Sequence, residues 1–128
     1  MRTATAVVNG DVITGTDVDQ RVALVTAAND QELSAEDMQR LKMQVLRNLI
    51  DETLQIQEAA AQEIEVTDAE VEQRYTAVAQ QNFGQREGAM SAYLQQIGSS
   101  PNSLKRQIRG ELAWQRLLRR NVAPFVSV

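Results

Sequence analysis

SAEDMQRLKMQVLRNLIDETLQIQEAAAQE, residues 34–63, reads as one long amphipathic helix. Ser34 stands at a capping position, and Glu36 and Asp37 put negative charge in the first turn, where the helix dipole favours it. Met38, Leu41, Val45, Leu49 and Ile56 recur at helical spacing and form one apolar stripe. Leu46, Ile50 and Leu54 widen that stripe, so the helix needs partners on more than one side. From Ala35 to about Glu63 it would span about 43 Å at 1.5 Å per residue. It is the spine against which the rest of the chain must pack.

Upstream, Ala6-Val7-Val8 and Val12-Ile13 flank Asn9-Gly10-Asp11. Asn-Gly between β-branched residues predicts a tight hairpin, because both positions tolerate positive φ. Two short strands are marginal alone, so the hairpin needs a third strand or a helical surface. Thr14 or Thr16 opens a helix through Val18, Val22 and Val25, which Asn29-Asp30 closes, and Thr14 with Asp17 makes an acidic variant of the capping box.

Downstream, Thr67-Asp68-Ala69-Glu70 is a capping box for a third helix through Val71, Tyr75, Val78 and Ala79, broken at Gly84. A shorter helix is predicted around Glu87–Ile97, with Met90, Tyr93, Leu94 and Ile97 at helical spacing and Gly98 as its stop. Ser100-Pro101 opens a fifth, whose apolar face is Leu104, Ile108, Leu112, Leu117 and Leu118. Pro124 is expected to end it and leave Phe125–Val128 extended, as a third strand for the hairpin or a link to a following domain. The expected fold is mainly all-α: about five helices with one long central helix, a small N-terminal β-hairpin and a C-terminal β-strand, in one domain over residues 1–128.

Composition narrows the function. Hydrophobic residues make up 43% of the 128 and charged residues 23%, a folded and helix-leaning mixture. The net charge of −4 argues against nucleic acid as a partner. There is no Cys and no His, which removes thiol chemistry, the commonest general base and the usual metal ligand. No apolar run approaches a membrane span and Met1–Gly10 has no signal-peptide character, so export would require a leader outside these residues and membrane contact would be at most peripheral.

The carboxylates do not assemble a catalytic dyad. Asp51 and Glu52 are helix neighbours that point in different directions, and Asp68 and Glu70 are explained by helix-start electrostatics. Lys42 and Lys105, the only lysines, stand in no nucleophile motif. Six of the thirteen cations, Lys105, Arg106, Arg109, Arg116, Arg119 and Arg120, lie on the last helix and read as a solvated face. Neither catalysis, nor a metal, nor a cofactor is expected.

Ala6-Val7-Val8-Asn9-Gly10-Asp11-Val12-Ile13-Thr14 followed by Asp17-Val18-Asp19-Gln20-Arg21 resembles the mature start of the SurA-like family of periplasmic chaperones. Gln44–Glu52 and Leu54–Ala59 resemble that family's long helix, Glu65–Val71 the turn after it, and Leu104–Glu111 the last helix of its N-terminal domain. The matches run in order over nearly the whole chain. The resemblance implies a helical chaperone domain acting on unfolded outer-membrane proteins in the periplasm of Gram-negative bacteria. It also implies longer parents that continue into one or two parvulin-type prolyl isomerase domains, which these 128 residues lack together with the C-terminal segment that completes the chaperone module.

A chaperone reading needs an adaptable apolar surface, for which Met and aromatic side chains are suited. Met38, Met43, Met90, Tyr93 and Trp114 are the candidate peptide contacts, with Phe83 of the same type; Trp114 lies off the Leu104/Ile108/Leu112 stripe. The expected site is an apolar groove walled by the long helix and the last helix, holding extended segments of unfolded outer-membrane proteins or other polypeptides. The rival readings are the non-catalytic N-terminal part of a prolyl isomerase and a purely structural dimerisation module. A homodimer is expected, through the hairpin edge, the apolar tail from Val122 to Val128, or exchange of the long helix.

Overall fold

Asn9 and Gly10 both adopt positive φ, 50° and 93°, and so reverse the chain between strands β1 (Ala4–Val8) and β2 (Asp11–Thr14). This is a computed structural model, and it describes residues 4–29, 32–86 and 88–126. The strands pair antiparallel with Val8 opposite Asp11 and Val7 opposite Val12, with an irregularity between Ala4 and Ala6. Helices follow in the order α1 (Gly15–Asn29), α2 (Ala35–Ala61), α3 (Asp68–Phe83), α4 (Ala89–Gln96) and α5 (Pro101–Val126).

The caps act as the sequence implies. Thr14 Oγ1 accepts from Asp17 N at 3.1 Å while Thr14 N donates to Asp17 Oδ2 at 2.9 Å. Ser34 Oγ accepts from Asp37 N, and Thr67 and Glu70 complete a reciprocal box at the start of α3. At α5, Ser100 Oγ accepts from Ser103 N and donates to Gln20 Oε1 at 2.9 Å, which ties the helix start to α1. The expected Glu87 start of α4 lies outside the described residues; the helix runs from Ala89.

Helical surface, not a third strand, supports the hairpin. Gln57 of α2 donates through Nε2 to Val8 O at 2.7 Å and Asp11 Oδ2 at 2.8 Å, and its Oε1 accepts from Asn9 Nδ2 at 2.9 Å. The expected C-terminal strand is not formed over the described residues: α5 passes through Pro124 to Val126, and of the expected extended segment Ser127 and Val128 lie outside the described residues. Proline's fixed φ is itself helical, and near a helix end its missing N–H removes a single backbone bond.

Two apolar clusters hold the bundle. Val8, Ile13, Val18, Val22, Val45 and Leu49 join the hairpin, α1 and the first half of α2. Ala59, Ala113 and Leu117 join the second half of α2 to α5. Between them lies a buried ion pair: Arg21 of α1 donates from Nη1 and Nη2 to the two carboxylate oxygens of Glu52, both at 2.9 Å. Arg106 of α5 approaches the same carboxylate at 3.5 Å and donates to Thr53 Oγ1 at 2.6 Å.

The basic stripe of α5 is not a solvated face. The turn between α2 and α3 presents backbone carbonyls toward α5, and arginines there take them up. Arg109 donates to Val66 O at 2.6 Å and also pairs with Asp68; Arg116 donates to Glu65 O at 2.5 Å; Arg120 donates to Gln62 O at 2.8 Å. Lys105 pairs with Glu72 at 2.6 Å and sits 4.8 Å from the Tyr75 ring centroid. Of the six cations only Arg119 keeps to the expected role, exposed and without such a contact among the described residues.

These contacts join α3 to α5, and the Glu70–Arg116 pair among them is expected to weaken in acid. Bidentate bonds from Arg116 at 2.8 and 2.9 Å, then the Thr67 N–H, pull the Glu70 pKa from 4.5 down to about 2. A depressed carboxylate contributes stability that is complete above pH 4.5 and lost as pH falls toward 2. Urea midpoints of the wild type and Glu70→Gln should therefore differ above pH 5 and converge by about pH 2. Glutamine preserves the capping geometry, so a gap independent of pH would assign the loss to something other than this charge.

Candidate functional site

Gly84, Gly88 and Gly98 take φ of 67°, 75° and 90°, which lets the chain fold the short α4 back between α3 and α5. Because α4 has only eight residues, it covers its neighbours incompletely. What remains open is an apolar groove of about 630 Å³. Leu24, Val25 and Ala28 of α1 form one wall, and Val78 and Phe83 of α3 the other. Met90, Tyr93 and Leu94 of α4, Ile97 just beyond it, and Leu104 of α5 complete the lining.

Leu94 is 2% exposed and Met90 8%, so both belong to the floor; Tyr93 at 39% stands at the mouth. The Phe83 and Tyr93 rings lie 5.5 Å apart at a 50° tilt. Among the described residues no charged side chain lines the groove, and the polar groups there are the Tyr93 hydroxyl and the amides of Asn29, Asn82 and Gln107. Such a surface offers no base or nucleophile. It offers apolar area with a few amides able to meet the backbone of an extended chain.

Of the candidate contacts, Met90 and Tyr93 meet in this groove and Phe83 joins them. Met38 instead packs against the first apolar cluster. Met43 is 59% exposed in a separate recess beside Val18 and Leu46. Trp114 is 45% exposed over a polar cleft between α2 and α5. The five candidate residues therefore do not converge in one apolar groove between the long and last helices. Most of the apolar band of α2 is covered by α1 and the hairpin on one side and α5 on the other, with Leu54 left 44% exposed, and the larger open apolar concavity falls to α1, α3 and α4. Leu24 and Ala28, four residues apart on α1, carried the overlooked signal: a second apolar line beside the Val18/Val22/Val25 stripe.

Among the described residues no group of three or more carboxylates is placed to hold a metal, and no helix is long and apolar enough to cross a membrane. The SurA N-terminal domain family matches residues 2–118. The chain belongs to that family. Chaperone SurA of Chromobacterium violaceum is 34% identical over 96% of the chain, that of Pseudomonas syringae pv. syringae 35% over 96%, and that of Pseudomonas savastanoi pv. phaseolicola 33% over its full length. The chain spans 29 to 30% of the length of these three relatives. The similarity thus lies in the N-terminal domain of the family. No solved structure gave a significant match.

Proposed function

We propose that this SurA N-terminal domain acts as a holdase: it binds apolar, extended segments of unfolded outer-membrane proteins in the periplasm, in the groove between α1, α3, α4 and α5. The observation that carries the reading is a concavity with no charged lining among the described residues, its mouth marked by Tyr93 beside Phe83, with Met90 on its floor. Methionine and aromatic side chains accommodate many sequences, which suits a binder of unfolded chains. Residues 1–128 act as one unit, and in a longer parent with parvulin-type domains they are the non-catalytic part.

Tyr93→Ser is the test. Tyr93 is half exposed, so its loss leaves the unfolding midpoint near wild type. Affinity for a fluorescent peptide from an unfolded outer-membrane protein is expected to fall about five- to thirtyfold, as for a buried aromatic anchor. Protection of that protein from aggregation should fall with it. Equal affinity and equal protection in the variant would end the groove assignment. A structural reading, in which the domain only dimerises, is favoured by Val7 and Val12, which face outward from the hairpin at 63% and 49% exposure. A domain of that kind associates with itself but protects no client.

A further inference from the structure

Trp114 is the only tryptophan of the chain, and nearly half of it faces solvent. It heads a cleft of about 300 Å³ between α2 and α5, apart from the apolar groove. Gly110 forms part of the floor with the Arg21–Glu52 pair, whose charges cancel. Asp51 on α2 and Glu111 on α5 are exposed on the walls, and neither has an ion-pair partner among the described residues. Glu111 and Trp114 are three residues apart and so share a helix face. The cleft therefore combines an accessible indole with two uncompensated negative charges.

That combination selects a planar cation. A guanidinium stacks on an indole and bonds to carboxylates through fixed N–H groups. We propose that the cleft receives an arginine side chain of the bound polypeptide, stacked on Trp114 between Asp51 and Glu111. This rests on the peptide-holding reading and adds a requirement to it. Gln107 lines both the apolar groove and the cleft, so a chain lying in the groove meets the cleft beyond Gln107. Clients are then favoured in which a basic residue flanks an apolar stretch.

The 128-residue domain is titrated with an apolar peptide carrying one arginine and with its citrulline counterpart. Polarisation of a label on the peptide reports affinity, and tryptophan emission reports Trp114 alone. The arginine peptide is expected to bind about three- to tenfold tighter at low salt, and only it should shift the emission. Asp51→Asn and Glu111→Gln, both at exposed positions, should reduce the arginine peptide to citrulline affinity. Acetyl-arginine amide at millimolar concentration should also shift the emission, independently of the groove. Equal affinities with unmoved emission for both arginine ligands would overturn the cleft, even where Tyr93→Ser weakens peptide binding. A Trp114 response that persists while Tyr93→Ser changes nothing keeps the cleft and removes the groove.

Discussion

Glu52→Ala is expected to destabilise the domain by about 3–5 kcal/mol, because it leaves a buried guanidinium without its counter-charge. The Arg21 and Glu52 side chains are 8% and 11% exposed, so water compensates neither. Arg21 Nε is already buried without a hydrogen-bond partner among the described residues, which makes the cation depend on its two bonds to Glu52. Arg106, 3.5 Å from the same carboxylate, would add repulsion once the carboxylate is gone. Against a total stability of about 5–15 kcal/mol, such a loss is a large fraction of the fold. Thermal and urea unfolding followed by circular dichroism measures it. The pair itself need not be favourable relative to apolar side chains, so Arg21→Met combined with Glu52→Leu should recover most of the loss. A Glu52→Ala cost below about 1 kcal/mol would place the pair with exposed ion pairs and contradict its burial.

Helix starts were legible because a cap is a local device. Ser34, Thr67 with Glu70, and Thr14 with Asp17 each satisfy backbone N–H groups within three residues, and no distant element has to be known. Pro124 misled for the converse reason: a proline breaks the middle of a helix, yet its φ suits the last turn, and distance from the end is invisible without the end itself. Arg21 and Glu52 offered no local sign that they meet. They are 31 residues apart, and each alone reads as an ordinary charge on an amphipathic helix.

Sequence spacing singled out Met90 and Tyr93, which line the candidate groove, but it did not say where such a groove would lie. Met38 and Met90 occupy equivalent positions on their apolar stripes, so spacing cannot separate them. Packing can: α2 is covered on two sides, whereas α4 is too short to be covered by its neighbours or to cover them. The α5 arginines show the same limit from the polar side. Three of their partners are carbonyls at Gln62, Glu65 and Val66, and backbone groups leave no mark in a sequence.

Gly110 sits in the interior of α5, where glycine weakens a helix by about 1 kcal/mol relative to alanine. The structure supplies the reason for it. A Cβ at this position would lie 2.4 Å from Glu52 Cγ and 2.9 Å from its Cδ. Glu52 cannot yield, since both of its oxygens are held by Arg21. In Gly110→Ala, α5 must instead move off α2, which loosens the Ala59/Ala113/Leu117 cluster. Overpacking of this kind costs more than the propensity gain, so a net loss of about 1–2 kcal/mol is expected. The Glu52→Ala background removes the obstructing atoms, and there Gly110→Ala should stabilise by up to about 1 kcal/mol. The sign of one substitution thus depends on the residue across the helix interface, with a coupling energy of about 2–3 kcal/mol in a double-mutant cycle. Chemical denaturation of the four proteins reads that coupling directly. If Gly110→Ala has the same effect in both backgrounds, α5 does not rest on Glu52, and the close approach of the two helices has another cause.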